Sequence, residues 1–367
     1  MVIRSIKIAG FRGIREGFVD ELEQVNIIIG KNNSGKSSIL EALFLSAREK
    51  FIFIEIPRRY SEFYSGYLSA LGYLLYRRMD NDEKSLFYNY EEKPLKYELV
   101  LENEKKLTYY FIPRYYFLIE EPTVENKAIF TRLDWVPEGT IEEGEIKSFL
   151  ETLKPPSLRR DIDSIPQIVD ERLSALRSAL LVDTLHIGNV KDVMASCWEK
   201  VKMQGLDELI VDALREAYEL NIVNLEYTPS GNWLVTLKNE RKHAVRLDDL
   251  GDGAKYALTI LTEILVAKPS ILLIEEPECH THPKGLELTF DVVFQFIKKM
   301  GTQTFITTHS LETLNKLIQL CKKHSLTVKI HHFTLKNGVL TSKPLDAPSV
   351  EVVTDLGADI RFLDEYM

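Results

Sequence analysis

The sequence has few cysteines: Cys197, Cys279 and Cys321 are the only three in 367 residues. They are widely separated and odd in number, so they predict neither a disulfide framework nor a metal site made of closely spaced cysteine pairs. We therefore expect a protein of a reducing compartment, the cytoplasm.

The sequence also lacks a surplus of positive charge. It has 46 Lys and Arg against 55 Asp and Glu, a formal net charge of −9. This balance does not have the basic footprint that by itself suggests nucleic-acid binding, so any such contact must be local. The candidates are short basic pairs, which are more often solvated faces. These pairs are Arg58-Arg59, Arg77-Arg78, Arg159-Arg160 and Lys322-Lys323.

Long hydrophobic runs are absent as well. No apolar stretch is long enough to span a bilayer, and the first residues, MVIRSIKIAGF, are too interrupted by charge for a signal peptide. We find no internal repeat and no low-complexity tract. With 45% hydrophobic and 28% charged residues, the composition is typical of a soluble globular protein without a membrane partner, with one large core and a smaller added body.

The chain begins and ends with patterns of an α/β protein. Strands are predicted at 2–9 and 24–29, and a helix follows Lys36. From residue 222 strands and helices alternate again, which predicts a mainly parallel sheet with crossover helices. Residues 51–220 differ, with Tyr-rich alternating runs and then helical patterns, so we interpret them as an inserted, partly helical lobe. The predicted domains are a split head, residues 1–50 and 221–367, and the 51–220 lobe.

A phosphate-binding loop is the clearest motif. The segment Gly30–Ser37, GKNNSGKS, matches G-x-x-x-x-G-K-[ST] at each fixed position, between a predicted strand and a predicted helix. Its glycines let backbone N–H groups surround a phosphate at the helix N-terminus. Lys36 is expected to reach the β- and γ-phosphates, and the Ser37 hydroxyl to bind Mg²⁺. We assign ATP binding to Gly30, Asn32, Asn33, Ser34, Gly35, Lys36, Ser37 and Ser38.

A second motif lies far along the chain. The apolar strand Ile271–Ile274 delivers Glu275 and Glu276 at its carboxyl end, where ligands bind in open α/β sheets. Glu275 is placed to hold Mg²⁺, and Glu276 to orient and deprotonate the attacking water. The sequence therefore predicts an ATPase that converts ATP and water to ADP and phosphate.

The order of these motifs resembles a known family. FRGI at 11–14, LGDG at 250–253, LLIEEPE at 272–278 and TTHS at 307–310 occur with the phosphate loop in the order found in ATP-binding-cassette ATPases. The match is similar to the SMC, RecF and OLD branch, in the form often catalogued as AAA-type ATPase-domain proteins. It covers about the first 50 and the last 150 residues. The resemblance implies an ABC-ATPase head with a mainly parallel P-loop sheet, an antiparallel β subdomain and the inserted lobe.

The same resemblance implies a homodimer that forms on ATP binding. In that family two ATPs are held between two heads arranged head to tail, and the signature turn of one head closes the phosphate loop of the other. By position, Gly251 and Gly253 would present backbone N–H groups to the γ-phosphate in trans. His309 matches the catalytic switch histidine that senses the γ-phosphate, and Arg12 matches an arginine that contacts the nucleotide.

This sequence departs from the family pattern at several positions. Gly251 stands where the signature usually has Ser, so one hydroxyl contact is missing, and we hypothesise that Lys255 compensates as a trans cation. Glu275 replaces the commoner Asp. No Gln lies between Gln24 and Gln167, so the usual lid glutamine is not assigned.

A short cluster of metal-ligand types, Cys279, His280 and His282, invites a metal-site interpretation. We favour the alternative that it is not a metal site. No second ligand pair lies at a suitable spacing, and the segment already has a place in the family pattern.

Two functions remain open. The first is an ATPase of DNA metabolism, repair or genome defence, with DNA or a separately encoded nuclease as partner. The second is an ATP-dependent conformational switch that acts on a protein partner without nucleic-acid contact. A transporter subunit is disfavoured by the long insertion and the unusual signature. A TOPRIM nuclease domain, which OLD nucleases carry after the switch histidine, is not expected here, since residues 310–367 are predicted to form a helix, a hairpin and a tail.

Overall fold

The computed structural model describes most of the chain. The described residues are 2–47, 49–51, 73–79, 83–90, 95–102, 106–112, 115–121, 130–132, 178–218, 221–228, 232–238, 241–279, 281–355 and 359–365. By compactness the chain forms two units. Unit 1 comprises residues 1–22, 58–175 and 334–342, and unit 2 comprises residues 23–57, 176–333 and 343–367.

The secondary structure alternates between strands and helices in the second half of the chain. The strands are β1 (Ile3–Phe11), β2 (Ile14–Val19), β3 (Val25–Ile29), β4 (Glu49–Phe51), β5 (Leu95–Leu101), β6 (Lys106–Ile112), β7 (Tyr115–Glu121), β8 (Phe130–Arg132), β9 (Ser178–Val182), β10 (Ile222–Tyr227), β11 (Trp233–Lys238), β12 (Lys242–Arg246), β13 (Ile271–Glu275), β14 (Gln303–Thr307), β15 (Val328–Lys336) and β16 (Val339–Leu345). The helices are α1 (Lys36–Ser46), α2 (Thr184–Gly188), α3 (Val190–Met203), α4 (Asp207–Tyr218), α5 (Asp252–Ala267), α6 (Pro283–Met300), α7 (Leu311–His324) and α8 (Ala347–Asp355).

Unit 2 contains a parallel sheet in the order β4-β9-β13-β14-β3-β15. All residues of β3 and β14 are buried, as are the first four of β13. Strands covered on both faces read as continuous apolar runs, which explains the sequences of Ile27–Ile29 and Ile271–Ile274. The loops that follow β3, β13 and β14 therefore meet at one edge of the sheet, the carboxyl edge.

Unit 2 also contains a small antiparallel sheet, β10-β11-β12. One face supplies Trp233 and Val235 to the hydrophobic core, where they join α3 and α4 residues such as Trp198 and Leu214. Helices α3 and α4 thus belong to the phosphate-loop unit. Residues 178–218 pack there because their apolar faces, together with the buried helix α5, form one continuous core.

Unit 1 is mainly antiparallel. Strands β2, β1, β5, β6, β7 and β8 pair antiparallel in this order, and β16 joins β2 in parallel through residues 339–341. In β5 buried and half-buried residues alternate, as expected for a strand with one face on the core. The prediction of an α/β fold with a mainly parallel P-loop sheet and additional antiparallel β structure is confirmed.

Individual element predictions agree closely with the structure. The strands predicted at 2–9 and 24–29 appear as β1 and β3, and the helix predicted after Lys36 appears as α1. Alternating runs of the Tyr-rich stretch appear as β5, β6 and β7. The domain boundaries, 1–50 with 221–367 and 51–220, stay a prediction. In the described part of the chain no helix is long and apolar enough to cross a membrane.

A buried cluster of three ionisable side chains lies among α2, α5 and the end of β9. Asp183 follows β9 directly and caps α2, and its Oδ1 lies 3.1 Å from Nδ1 of His186. Nε2 of the same ring lies 3.4 Å from Oε1 of Glu263. Glu263 is fully buried, and burial raises the pKa of its carboxyl to about 7, with the Asp183 charge adding to this and the His186 charge opposing it.

This cluster predicts a pH-dependent stability. The unfolded chain loses the Glu263 proton near pH 4.5, while the folded protein keeps it until about pH 7. The folded state binds more protons in that interval, so the free energy of unfolding falls as the pH rises, by about 3 kcal/mol in total from this group. In Glu263→Gln this fall should be missing, as measured by denaturant unfolding from pH 4.5 to 7.5. Glu199→Gln, at an exposed position of α3, is the control, and identical pH profiles for both variants would contradict the assignment.

Candidate functional site

The phosphate loop follows β3 at the carboxyl edge. Gly30 has φ +144°, and a Cβ built there would lie 2.4 Å from the Phe333 carbonyl oxygen of β15. Gly35 has φ 90°, a left-handed conformation that favours glycine. Both fixed glycines of the motif are therefore required, Gly30 by conformation and close packing and Gly35 by conformation.

The loop has the features of an anion site. Helix α1 starts at Lys36 without a side-chain cap and without an acidic residue in its first turn. No carboxylate of that turn therefore competes with a ligand for the N–H groups at the helix N-terminus. The Ser34 hydroxyl is buried and has no hydrogen-bond partner among the described residues. Asn32 and Asn33 are exposed, Asn33 with φ 61°, whereas Ser37 is half-buried and Ser38 buried.

The Lys36 amine is folded into this loop. Its Nζ donates to the carbonyl oxygens of Gly30, at 3.0 Å, and Lys31, at 2.9 Å. Burial lowers the pKa of the amine to about 8, and the charges of Glu276 and Glu278 act against this. A phosphate group in the loop would further favour the protonated amine, since it adds negative charge close to it.

The two predicted carboxylates stand at the carboxyl end of β13, and both are half-buried. Glu275 is the last residue of the strand. Glu276 has φ +44°, an unusual conformation for a glutamate, held by its N–H donating to O (3.1 Å) and Oγ1 (3.2 Å) of Thr307 in β14. Such strained residues cluster at functional sites, because the surrounding structure holds the side chain in a defined direction.

The switch histidine predicted from the sequence meets the predicted base. Nε2 of His309 lies 2.8 Å from Oε1 of Glu276. The two side chains are 31% and 32% exposed, so both remain accessible to water. This contact joins the loop after β13 to the loop after β14, and the catalytic roles of both residues stay predictions.

Glu278 organises the same two loops, whereas sequence reasoning had given it a place in the family motif LLIEEPE but no catalytic role. Its Oε1 accepts hydrogen bonds from Thr308 Oγ1 at 2.6 Å, from His309 N at 2.8 Å and from Ser310 N at 3.2 Å. Its other oxygen is buried without a partner in the described part of the chain. The third glutamate of the EEPE motif was the available signal, but only the tertiary structure shows that it holds the backbone of the His309 loop.

The C-terminal segment was also missed. Nη1 of Arg361 donates to the His309 carbonyl at 3.0 Å, while Nε and Nη2 bind both carboxylate oxygens of Asp359. Nζ of Lys31 lies 5.3 Å from the Phe362 ring centroid, in cation–π range. The segment thus contacts both the switch loop and the phosphate loop. No motif marks it, since its contacts come from residues far apart in the sequence.

The predicted signature turn stands at the start of α5. Gly251 is the exposed N-cap residue, with ordinary φ and no atom within 4 Å of a Cβ built on it. At Gly253 a Cβ would lie 2.8 Å from the Tyr218 ring, so this glycine is required by packing. Nζ of Lys255 is 3.1 Å from Oδ1 of Asp252 within the same turn. The turn presents an exposed helix N-terminus, and its role in trans stays a prediction.

Arg12 belongs to unit 1, with φ 53° and Nη1 donating to O (3.3 Å) and Oγ (3.1 Å) of Ser85. Its contact with nucleotide stays a prediction. Among the candidate basic pairs, Arg58-Arg59 and Arg159-Arg160 lie outside the described residues, and Lys323 is paired with Asp291 at 2.7 Å.

The residues of the cysteine–histidine cluster have other contacts. The Cys279 thiol donates to Oε2 of Glu276 at 3.7 Å, and burial, with the charges of Glu276 and Glu278, raises its pKa to about 11. His282 caps helix α6 by accepting from Lys284 N. His280 lies outside the described residues, so the prediction that this is not a metal site stays a prediction.

A family model described as "AAA domain, putative AbiEii toxin, Type IV TA system" matches residues 25–315. The chain belongs to this family. It is thus a P-loop ATPase domain of the AAA and ABC type, as the motifs predicted.

Two relatives and one solved structure illustrate how similar this chain is to known proteins. An "ATP/GTP phosphatase" of Helicobacter pylori is 22% identical over 91% of this chain and 92% of its own length. An uncharacterized protein of Methanocaldococcus jannaschii is 31% identical over 30% of this chain and 99% of its own length. The SMC head domain from Thermotoga maritima aligns with 95% of this chain and all of its own, with a TM-score of 0.45 and 11% identity.

This AAA-domain ATPase brings together an anion-binding loop with a buried amine, a strand end with two carboxylates, and a histidine hydrogen-bonded to one of them. The arrangement can hold a polyphosphate and move a proton from a water molecule. Glu278 fixes the backbone of the loop that carries His309.

The geometry predicts a positioning role for Glu278. Glu278→Ala removes the acceptor of three hydrogen bonds, so His309 should leave its place beside Glu276. Misplacing a catalytic side chain can lower the rate of the chemical step up to about 100-fold. We therefore expect kcat to fall by at least about tenfold while the KM for ATP changes little. Glu278→Gln keeps one acceptor oxygen and should recover part of the rate.

Steady-state hydrolysis with mant-ATP binding provides the measurement, and Glu312→Ala, an exposed carboxylate at the start of α7, is the control. Equal losses of binding and hydrolysis in Glu278→Ala would argue against a role in positioning. So would an unchanged kcat.

Proposed function

We propose that the protein binds ATP with Mg²⁺ in the Gly30–Ser38 loop, hydrolyses it to ADP and phosphate, and closes into a head-to-tail homodimer around two ATP molecules. The observation that carries the hydrolytic part is the 2.8 Å contact between His309 and Glu276 at the carboxyl edge, beside a loop built for phosphate. The name of the Helicobacter pylori relative, a phosphatase of ATP and GTP, supports it.

The residues of the loop fit a nucleoside triphosphate and its metal. The uncapped start of α1, the buried amine of Lys36 and the unpartnered Ser34 hydroxyl suit phosphate oxygens. The Ser37 hydroxyl and the Glu275 carboxylate are hard oxygen donors of the type that Mg²⁺ prefers. When bound, Mg²⁺ would neutralise charge on the phosphates.

The remaining steps belong to side chains of the carboxyl edge. Glu276 is the proposed general base that takes the proton of the attacking water. His309 is proposed to hold that carboxylate and to contact the γ-phosphate, and Glu278 keeps the backbone of the His309 loop in place. The partner copy is proposed to supply the N–H groups of Gly251 and Gly253 and the Lys255 cation.

For the biological task we propose DNA metabolism, repair or genome defence. The family description names a type IV toxin–antitoxin system, which fits defence. DNA or a separately encoded nuclease is the proposed partner, and the cytoplasm the proposed location. A switch that acts on a protein partner would instead show no DNA-dependent change in hydrolysis at low salt.

Dimer closure is tested by Glu276→Gln. This change removes the base but keeps the shape of the side chain, so ATP should be trapped and the dimer should accumulate. Light scattering after size-exclusion chromatography should show a dimer with ATP and a monomer with ADP. Glu276→Gln combined with Lys36→Ala, which lacks the phosphate-binding amine, should stay monomeric with ATP. A monomeric Glu276→Gln protein at saturating ATP would refute the sandwich, although not the nucleotide site.

The trans role of Lys255 has its own test. Trans cations in phosphoryl transfer contribute about 10³ to 10⁵ in rate, so Lys255→Ala should lower steady-state hydrolysis at least about tenfold and leave ATP binding intact. Lys298→Ala, at an exposed position, is the control.

Mixing the Lys255→Ala and Lys36→Ala proteins, each expected to hydrolyse ATP more slowly than wild type, distinguishes a trans role of Lys255 from a cis role. Their heterodimer has one site with an intact phosphate loop that faces an intact Lys255, so activity should return. No recovery on mixing would mean that Lys255 acts only within its own chain.

A further inference from the structure

The small sheet β10-β11-β12 has a strongly basic border. Strand β12 pairs only with β11 in the described part of the chain, and its residues 242–244 and 246 are exposed. Four cations lie here, and we call them the basic edge: Lys238 at the end of β11, Arg241 before β12, and Lys242 and Arg246 in β12. All four are exposed in a chain whose net charge is −9.

The strand register brings three of these charges, Lys238, Lys242 and Arg246, onto one face. Lys238 is directly opposite Lys242, and Arg246 follows four residues later on the same face of β12. At about 3.3 Å per residue the row from Lys242 to Arg246 is about 13 Å long. The opposite face of the sheet carries Trp233 and Val235 into the core, so the basic face is directed away from it.

Among the described residues no carboxylate forms an ion pair with these cations, and Glu240, between Lys238 and Arg241 in the sequence, lies outside the described residues. The nearest acid in sequence that follows the strand, Asp248, is paired with Lys191 at 2.6 Å. Glu226 shares the basic face but stands on β10, opposite Leu234, and β11 separates it from Arg246.

This arrangement is unfavourable for the chain alone. Like charges directly opposite each other in a sheet destabilise it, and Lys238 and Lys242 are such a pair. An extended polyanion would remove the repulsion. A nucleic-acid strand fits best because it carries regularly spaced charges along a line, and because Arg binds phosphate with two hydrogen bonds.

The basic edge is also placed next to the site. Strand β12 ends at Arg246, a 3₁₀ turn follows at Leu247–Asp249, and Gly251 caps helix α5. A ligand on the edge therefore contacts the strand that leads directly into the proposed signature turn. This short connection would let binding at the edge change how that turn is presented.

We propose that the basic edge is a docking surface for the phosphate backbone of DNA. The inference deepens the proposed function and rests on its DNA role. It differs from the sequence prediction, which had considered only adjacent basic pairs. The contact would be independent of base sequence, since phosphate contacts position a protein but do not read bases.

The test is the salt dependence of DNA binding by the Lys238→Ala, Lys242→Ala, Arg246→Ala triple variant. Fluorescence anisotropy with a labelled 40-base-pair duplex, between 25 and 200 mM KCl, gives the slope of log K against log salt. Losing three phosphate contacts should reduce that slope by about 2.7. Basal ATP hydrolysis should be unchanged, and any stimulation by DNA should be lost.

Two further variants make the result specific. Lys200→Ala, Lys298→Ala, Lys299→Ala changes the net charge equally at exposed positions of α3 and α6 and should keep the wild-type slope. Arg246→Lys keeps the charge and should keep the slope. It should bind DNA somewhat more weakly, because lysine cannot make a bidentate contact with a phosphate. Unfolding in denaturant should show the triple variant at least as stable as the wild type, since repulsion is removed.

The outcomes separate the two proposals. If wild-type protein binds DNA and the triple variant keeps its slope, the basic edge is wrong and the DNA role stands. If wild-type protein hydrolyses ATP but binds no duplex at 25 mM KCl, the DNA role fails and the edge with it. Binding of poly-glutamate but not DNA, lost in the triple variant, would mark the edge as a protein-docking surface and overturn the proposal.

Discussion

One oxygen of the Glu278 carboxylate accepts hydrogen bonds from the side chain of Thr308 and the backbone N–H groups of His309 and Ser310. Through these bonds the loop that follows β13 determines the conformation of the loop that follows β14. His309 can reach Glu276 because both loops are held in this way. A charged acceptor makes stronger hydrogen bonds than a neutral one, so the arrangement is well suited to fixing a backbone.

The parallel sheet supplies the frame for that interaction. Because β3, β13 and β14 are neighbours and run in the same direction, the phosphate loop, the two carboxylates and the switch histidine all arise at one edge. The strained φ of Glu276 and the close approach of Gly30 to Phe333 show how tightly the loops are packed. Arg361 adds a contact from the far end of the chain to the His309 carbonyl.

Charge is distributed unevenly over unit 2. The chain is acidic as a whole, yet the basic edge gathers four cations that form no ion pair with any other described residue, where β12 leads into helix α5. Other cations of this unit are paired with carboxylates, as Lys323 with Asp291 and Lys316 with Glu287. The structure thus separates the proposed polyanion surface from the carboxylate-rich site, while the chain connects them over a few residues.

The sequence by itself determined the motifs whose physics is local. A strand, a glycine loop and a helix can be read in order because conformational freedom of glycine, apolar periodicity and helix start signals act over a few residues. The strand that carries Glu275 and Glu276 was predictable for the same reason. The assignment of His309 came from the resemblance to a family rather than from spacing.

Only the tertiary structure decided which groups meet. Glu278 and Arg361 both contact the His309 loop, and Glu263 contacts His186. These contacts join residues that are 30 to 77 positions apart in the sequence. The basic edge depends on strand register, which places Lys238 opposite Lys242 and Arg246 on the same face. Periodicity predicts that a strand exists, but pairing between strands is fixed by core packing across the whole unit.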